Sequence, residues 1–378
     1  MLKRLFVDNF RTFQNFEMTF DRLTLLLGPN GGGKSSIFHV IAILRDFIAV
    51  QPSTNELFST STLTRWQSRD LQTFELGLEG ENLQYRYALE IEHDHYRQKC
   101  RIRSEKLACN ESMLYESHLE SDQLLAQLFR DDGSKGPEVL VDGTRSGVGF
   151  IQPRQDNRLL TTFKQQLSCI VVAQPIPQLM EAKADRESAL LNRHATNFVE
   201  WFRHTASLDL NLISRLNPLL EDTLPGYEGL SLIPDGGDTK ILGVRFWTES
   251  TPDGQPNAFI CKFDELSDGQ RMLLALYTLL AATEVADSAC ILCLDEPDNF
   301  LALREIQPWL NMLIDRVNAF NHQVVLISHH PELINTLAVT AGRWIDRTAG
   351  ASTRCQIITD DQTGLPLSEL IARGWIHA

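Results

Sequence analysis

Apolar and polar residues alternate along the chain with two different periods, which predicts a mixture of strands and helices. Short apolar runs at residues 23–27 and 169–173 indicate strands that are buried on both faces. The first run leads through a glycine-rich turn into a segment in which Ile37, Val40, Ile41, Leu44 and Ile48 follow helical spacing. The same patterns predict further strands near residues 2–7, 16–20, 240–248, 258–264, 290–294 and 323–327, and helices at 270–282 and 305–319.

Between residues 71 and 107 the apolar positions change to a period of two. The alternating residues are Phe74, Leu76, Leu78, Tyr85, Tyr87, Leu89 and Ile91. This period is typical of strands with one buried face, so we predict an antiparallel sheet inserted after the first helix. We expect residues 108–168 to be irregular and residues 177–220 to be largely helical.

The charge balance restricts the ways in which the protein can contact nucleic acid. The 378 residues include 35 lysines and arginines against 49 aspartates and glutamates, which gives a net charge of −14. A chain of this charge does not coat nucleic acid indiscriminately, so any DNA contact must come from a local basic patch.

Apolar stretches and cysteines together predict a cytoplasmic protein. The longest mostly apolar stretch, residues 272–282, is about half the length that a membrane span needs, so we expect no contact with a membrane. The seven cysteines are scattered, as in a reducing compartment. Cys290 and Cys293 would point to opposite faces of a predicted strand, which argues against a zinc or redox pair.

A phosphate-binding motif follows the strand at 23–27. Residues 28–35 match the pattern G-x-x-x-x-G-K-S between a buried strand and an amphipathic helix, the context that the P-loop requires. Backbone N–H groups and the helix N-terminus would bind phosphate, Lys34 would reach the β- and γ-phosphates, and Ser35 would ligate Mg²⁺. The predicted nucleotide-binding residues are Gly28, Asn30, Gly31, Gly32, Gly33, Lys34, Ser35 and Ser36.

Two acids end the apolar strand predicted at 290–294. Asp295 would hold Mg²⁺ through water, and Glu296 would polarise the attacking water as a general base. The alternative interpretation is that Asp295 and Glu296 are ordinary polar residues at a strand end. The P-loop in the same chain makes this alternative less favoured.

Two more motifs resemble those of the ABC ATPases. Residues 266–270, LSDGQ, resemble the signature motif, in which Ser267, Gly269 and Gln270 would contact nucleotide at the start of a helix. Residues 327–331, ISHHP, resemble the switch segment that carries a catalytic histidine, here His329. All four motifs stand in the order that the ABC ATPases require.

Other segments resemble one branch of the ABC ATPases, the RecF/SMC/OLD-like proteins. These segments are DNFRTF at residues 8–13 and EPDNFL at 296–301, and Ser267 lies 233 positions after Lys34. The resemblance implies an α/β fold: a P-loop ABC-type ATPase head with an inserted antiparallel β subdomain and a helical lobe. It also implies ATP hydrolysis, head-to-tail dimerisation on ATP binding, and a role in DNA repair, recombination or anti-phage defence.

The resemblance further implies a division into lobes. We predict ATPase lobe I at residues 1–174, a helical lobe at 175–235, and ATPase lobe II at 236–378 with the signature, the strand-end acids and the switch histidine. No long coiled coil is predicted, and 49 residues after His329 are too few for a Toprim nuclease. We therefore expect any nuclease or toxin partner to lie on another polypeptide.

Two further site residues rest on the resemblance. The Q-loop glutamine, which would serve catalysis and the Mg²⁺ site, is assigned to Gln174 after the strand at 169–173, with Gln152 as the alternative. Arg11 resembles a basic residue that approaches the nucleotide in this branch. Alternatively, Gln174 is a surface glutamine without a role at the site, and Arg11 is a solvated arginine on a hairpin.

A basic row is the candidate DNA contact. Arg97, Lys99, Arg101 and Arg103 occupy every second position, which on a strand would line one face with cations about 6–7 Å apart. Glu90 and Glu92, on the predicted neighbouring strand, could instead pair with these cations.

Two other functions remain open from the sequence. One is a nucleotide-gated scaffold that regulates a partner nuclease or toxin with little turnover. The other is a transport-coupling ATPase subunit, against which the long antiparallel insert argues.

Overall fold

The structure is a computed structural model that describes residues 1–80, 82–248, 257–283, 290–319, 322–348, 350–358 and 364–375. The strands, in chain order, are β1 (Leu2–Asp8), β2 (Phe16–Thr19), β3 (Leu23–Leu27), β4 (Leu71–Gly80), β5 (Leu83–Asp94), β6 (Lys99–Cys109), β7 (Ser112–Glu120), β8 (Gln123–Phe129), β9 (Lys135–Val141), β10 (Ile170–Ala173), β11 (Lys183–Ala184), β12 (Tyr227–Pro234), β13 (Lys240–Thr248), β14 (Asn257–Lys262), β15 (Ile291–Asp295), β16 (Gln323–Ile327), β17 (Gly342–Asp346) and β18 (Arg354–Ile357).

Helices of one to five turns connect these strands. They are α1 (Lys34–Ala49), α2 (Thr54–Leu57), α3 (Gly147–Phe150), α4 (Arg158–Ser168), α5 (Phe198–Leu208), α6 (Leu212–Glu221), α7 (Asp268–Thr283), α8 (Leu303–Ala319), α9 (Pro331–Ala341) and α10 (Leu367–Ala372). The strands and helices form the mixed α/β fold that the sequence predicts.

Contacts along the chain divide the protein into two compact units. Unit 1 comprises Met1–Ile170, Gln323–Ile327 and Ile334–Ala378, and unit 2 comprises Val171–His322 and Ser328–Leu333. The lobe boundaries proposed at residues 174 and 235 remain a prediction.

Unit 1 contains the predicted antiparallel sheet. Its eight strands lie in the order β2-β1-β4-β5-β6-β7-β8-β9. The alternating apolar residues of β4 and β5 are buried, which confirms the interpretation of their period. Phe74 of β4 packs against Phe58, with ring centroids 5.3 Å apart, and Phe58 contacts Phe47 of α1 at 5.4 Å. These aromatic contacts fix the helix that follows the P-loop sequence onto the sheet.

The P-loop strand lies in a second, mostly parallel group of unit 1. β3 has parallel neighbours on both sides, β16 and β17, and β18 adds an antiparallel edge strand. β3 is almost wholly buried, as its apolar run predicts.

Unit 2 combines a buried strand pair with helices and a small antiparallel sheet. β10 lies beside β15, whose five residues are all buried. β13 is paired with β11, β12 and β14. Most of α7 is buried, so this helix forms part of the unit's core.

Two predictions about irregular and helical regions are wrong. Residues 108–168, expected to be irregular, contain β7, β8, β9 and α4. Bulges at Leu107/Ala108 and Gln127/Phe129 interrupt the alternation, and β9 is largely exposed, so backbone pairing rather than an apolar period identifies these strands. Residues 180–197, expected to be helical, lack helix: residues 183–184 pair with β13, and residues 193–196 accept backbone bonds from residues 174–181.

The remaining expectations concern cysteines and membranes. Cys290 precedes β15 rather than lying inside it, and no disulfide bond joins cysteines among the described residues. Among the described residues, no helix is long and apolar enough to cross a membrane.

Candidate functional site

The phosphate loop, residues 28–33, joins the carboxyl end of β3 to the N-terminus of α1 in unit 1. Gly28 has a φ of +137°, and a Cβ there would lie 2.0 Å from the carbonyl oxygen of Ile345. Gly33 is the N-terminal cap of α1 with a φ of +113°. Side chains at these positions would clash or strain the backbone, so the loop requires glycine for its shape.

Lys34 begins α1 and folds back over the loop that precedes it. Its Nζ donates to the carbonyl oxygens of Gly28 at 2.7 Å and Pro29 at 3.1 Å. The side chain is buried, whereas Ser35 is exposed at the helix start. The loop therefore combines a helix N-terminus, an ammonium group and an exposed hydroxyl, which is the donor set that a phosphate and its Mg²⁺ require.

Arg11 lies on a tight turn packed against the phosphate loop. Phe10 and Phe13 close the turn through mutual backbone bonds, and the ring of Phe13 lies 3.3 Å from the position of a Cβ on Gly33. Thr353 joins the two segments, because its hydroxyl lies 2.8 Å from the hydroxyl of Thr12 and donates to the Gly32 carbonyl at 3.0 Å. Arg11 is exposed, with its guanidinium 5.4 Å from the Phe10 ring centroid. The turn thus brings a cation beside the loop.

Asp295 and Glu296 end β15 in unit 2. Asp295 is only 2% exposed. Glu296 has a φ of +52°, an uncommon conformation for a residue other than glycine, and its carboxylate accepts a 2.8 Å bond from the side-chain amide of Asn299. Backbone strain of this kind costs about 1–3 kcal/mol and concentrates at functional sites. The strand end therefore carries one buried carboxylate and one oriented carboxylate.

Gln174 and Asp295 share a partner that the sequence analysis missed. Nη2 of Arg193 lies 3.3 Å from Oδ2 of Asp295 and 3.4 Å from Oε1 of Gln174. The alternative Q-loop residue, Gln152, is exposed in a loop of unit 1 and donates to the Phe150 carbonyl. The Arg193 contacts bring Gln174 close to the predicted metal ligand, although its assignment as the Q-loop residue stays a prediction. Only the fold reveals Arg193, because no motif surrounds it.

The signature residues form an exposed helix start in unit 2. Ser267 Oγ accepts from the N–H of Gln270, and the Gln270 side chain accepts from the N–H of Ser267, so the two residues form a capping box for α7. Arg271 donates to the carbonyl oxygens of Leu266, Asp264 and Pro177, which fixes the segment. Gly269 lies close to the Phe300 carbonyl. Ser267 itself is exposed and available to another molecule.

His329, the middle residue of the switch segment, is exposed. Its neighbour Ser328 is buried and accepts a 2.9 Å bond from the N–H of His330. Burial raises the pKa of Asp298, which lies beside Ser328 and His330. The segment after β15 and the switch segment therefore meet within unit 2.

The predicted basic row differs from the expected regular face. Arg97 lies in the turn between β5 and β6 rather than on a strand, because that turn extends to Gln98. Lys99, Arg101 and Arg103 lie on β6, with a bulge between Ile102 and Ser104. Arg101 pairs with Glu92 at 2.9 Å and with Asp122, Arg103 lies 4.0 Å from Glu90, and Arg97 lies 3.8 Å from Asp94. Among the described residues, Lys99 has no ion pair within 4 Å. The neighbouring acids therefore neutralise much of the row.

The described residues include no cluster of three or more His, Cys, Asp or Glu side chains that could hold a metal ion. Mg²⁺ in P-loop proteins is bound by a hydroxyl, a carboxylate, water and phosphate oxygens, so such a cluster is not required. The exposed Ser35 hydroxyl and the Asp295 carboxylate are oxygen ligands of the kind that Mg²⁺ prefers.

A family model described as the RecF/RecN/SMC N terminal domain matches residues 1–348. Two solved structures have similar folds. One is an SMC head bound to the C-winged helix domain of ScpA, with 10% identity, a TM-score of 0.57, and coverage of 96% of this chain and 98% of that chain. The other is an SMC head with an extended coiled coil bound to the C-terminal domain of ScpA derived from Pyrococcus furiosus, with 10% identity, a TM-score of 0.54, and coverage of 99% and 98%. A search of curated protein sequences finds no match.

Proposed function

Because the chain belongs to the RecF/RecN/SMC N-terminal domain family, we propose that it binds ATP with Mg²⁺ and hydrolyses the ATP in a head-to-tail pair of chains. The observation that carries this proposal is the phosphate loop. Its glycine backbone at Gly28 and Gly33, the buried Lys34 and the helix N-terminus form an anion site with little other chemical use.

The residues of unit 1 would bind the triphosphate. The ammonium of Lys34 bonds to two loop carbonyls, and we propose that it turns to the β- and γ-phosphate oxygens when ATP binds. Asn30, Gly31, Gly32 and Ser36 would contribute loop and helix-start contacts. Arg11, on the turn that packs against Gly33, would contact the nucleotide from the side.

The residues of unit 2 would perform the chemistry. Glu296, oriented by Asn299, would take a proton from the water that attacks the γ-phosphorus in line. Mg²⁺ would neutralise the developing phosphate charge when bound by Ser35 and Asp295. Gln174 and His329 would position the water and the γ-phosphate.

Dimerisation would complete each site. Ser267 is exposed at the start of α7, where its hydroxyl and the first N–H groups can bind an anion. We propose that Ser267, Gly269 and Gln270 of one chain contact the γ-phosphate held by its partner. Two-fold symmetry would then form two equivalent sites from one interface.

We further propose that this ATP-dependent pair acts on DNA in the cytoplasm, in repair, recombination or anti-phage defence. The exposed cations of β6 support a DNA contact, and the scattered positions of the seven cysteines in the sequence support a reducing compartment. A partner nuclease or toxin on a separate chain would supply any cleavage. The two structural neighbours are bound to ScpA domains, which supports a further proposal that this head also binds a protein partner.

Equilibrium binding of a fluorescent ATP analogue tests the core of this proposal. Lys34→Ala removes a charge-assisted phosphate contact and should weaken binding by at least roughly tenfold. Lys164→Ala is a matched control, because Nζ of Lys164 also donates to two backbone carbonyls, those of Gly149 and Ile151, away from the loop. The control should bind like the wild type. An equal loss of ATP-analogue affinity in Lys34→Ala and Lys164→Ala would show that Lys34→Ala acts through the structure. That result would contradict the proposed phosphate site.

A further inference from the structure

Arg193 lies on a strap, residues 193–196, that runs beside residues 174–181 in unit 2. The Arg193 carbonyl accepts a 2.6 Å bond from the N–H of Gln174, and the Thr196 carbonyl accepts one from Glu181 at 2.9 Å. Asn197 fixes the end of the strap through 2.9 Å bonds from its amide to Ser188 Oγ and the Leu190 carbonyl. The backbone of Arg193 is therefore held in place by its neighbours.

The side chain of Arg193 supplies a cation to a buried carboxylate. Asp295 is 2% exposed, whereas the Arg193 side chain is 33% exposed. Burial of a carboxylate is costly unless the group is paired, and the 3.3 Å contact with Arg193 is one interaction of Asp295 that offsets this cost. The partial exposure of Arg193 leaves its guanidinium room to move toward solvent.

The same guanidinium contacts both residues of unit 2 that are assigned to Mg²⁺. It lies within 3.4 Å of an oxygen of Gln174 and an oxygen of Asp295. A guanidinium and a divalent cation beside the same carboxylate repel each other. Each would therefore weaken the hold of the other on Asp295.

We propose that Arg193 is a positioning residue that holds Asp295 and Gln174 in place as a resident counter-ion and yields Asp295 to Mg²⁺ when the metal binds with nucleotide. This inference rests on the proposed ATP and Mg²⁺ function. The strap keeps its backbone bonds during this exchange, and only the side chain turns away. Arg193 thereby sets the Mg²⁺ concentration at which nucleotide binds.

The test measures binding of a non-hydrolysable fluorescent ATP analogue across a Mg²⁺ series. Arg193→Gln removes the competing charge, so half-maximal binding should require about tenfold less Mg²⁺ than in the wild type. Arg193→Lys keeps the charge, so its Mg²⁺ concentration for half-maximal binding should be close to that of the wild type. Arg186→Gln is the control, because Arg186 precedes the strap and pairs with Glu200 at 3.4 Å on the surface. The control should not change the Mg²⁺ requirement.

Thermal unfolding without nucleotide or metal gives a second, independent measurement of the interaction between Arg193 and Asp295. Arg193→Gln should lower Tm when residue 295 is aspartate, because the buried carboxylate loses the favourable charge of Arg193. The same change should have little effect in the Asp295→Asn background, where there is no charge to balance. Equal losses of Tm in both backgrounds would contradict the counter-ion role, even if Arg193→Gln is too unstable for binding work.

The outcomes separate this inference from the function on which it rests. A wild type that does not bind nucleotide at any Mg²⁺ concentration would overturn both. Binding by the wild type with an unchanged Mg²⁺ requirement in Arg193→Gln would overturn only the inference. Weaker nucleotide binding by Arg193→Gln at saturating Mg²⁺ would also overturn it, because Arg193 would then be a phosphate ligand rather than a competitor of the metal.

Discussion

The phosphate loop of unit 1 and the carboxyl end of β15 in unit 2 stabilise charged groups by different means. Lys34 is held by carbonyl oxygens five and six residues away in its own loop, and the loop is shaped by glycines that tolerate no side chain. Asp295 is held by Arg193, 102 positions away in sequence. The first region depends on local backbone shape, and the second depends on a side-chain charge that other cations can replace.

This difference predicts how each region fails. A substitution in the loop changes the backbone and should remove binding outright. A substitution at the strand end leaves the fold largely intact and should change the chemistry or its metal requirement. Variants at the strand end therefore separate binding from turnover more cleanly than variants in the loop.

The largest effect is expected from Glu296→Gln. The amide keeps the shape of the side chain and its contact with Asn299 but cannot accept the proton of the attacking water. ATP binding should remain, and steady-state turnover should fall at least ~100-fold, the lower end of general-base contributions. Glu305→Gln, which removes a charge from the first turn of α8, should leave turnover near that of the wild type. Wild-type turnover in Glu296→Gln would exclude Glu296 as the base.

The next effect concerns assembly at the exposed signature segment. Glu296→Gln with ATP and Mg²⁺ should shift the mass measured by light scattering from monomer toward dimer, or tighten an existing dimer. Adding Ser267→Arg should prevent the shift, because the larger side chain would occupy the place of the partner's γ-phosphate.

Ser207→Arg is the matched control for this experiment. Ser207 is exposed on α5 and receives the same new side chain far along the sequence from the signature residues. Dimerisation and turnover should survive this change. Normal assembly and hydrolysis by Ser267→Arg would show that the signature residues do not complete the site of a partner chain.

Features set by neighbouring residues could be predicted from the sequence, and features set by distant contacts could not. The run at β3, the glycines after it and the helical period of α1 form one continuous signal, so their structure was predicted closely. The period of two in β4 and β5 was equally clear. β7 to β9 were missed because bulges and exposed edges remove the apolar period while backbone pairing preserves the strands.

The strap shows the same limit within the site. The sequence of residues 193–196 has no pattern typical of a turn, a helix or a metal site. The structure of this segment comes from backbone bonds to residues 174–181. Arg193 could not be assigned because the buried carboxylate that it balances is distant in sequence. The roles of Gln174, Arg11 and the other site residues remain predictions that the experiments above address.

The smallest effect is expected on the basic row of β6. Among the described residues Lys99 has no ion pair within 4 Å, whereas Arg101 is paired with Glu92 and Asp122. By this comparison Lys99, on the same strand, should bind phosphate better than Arg101 does. Replacing Arg97, Lys99 and Arg101 with alanine should make the slope of log affinity for duplex DNA against log salt shallower, by roughly 0.9 for each cation that no longer binds a phosphate.

Single variants measured with ATP present sharpen this prediction. Lys99→Ala should change the slope by the amount expected for about one phosphate. Arg101→Ala should change it by less, because Arg101 is already paired with Glu92 and Asp122 and therefore neutralises less phosphate charge. Equal slopes for the wild type and the triple variant, with equal affinity, would show that the row is a solvated, salt-bridged face. A full slope change from Arg101→Ala and none from Lys99→Ala would contradict the expectation that Lys99 binds phosphate better than the carboxylate-paired Arg101.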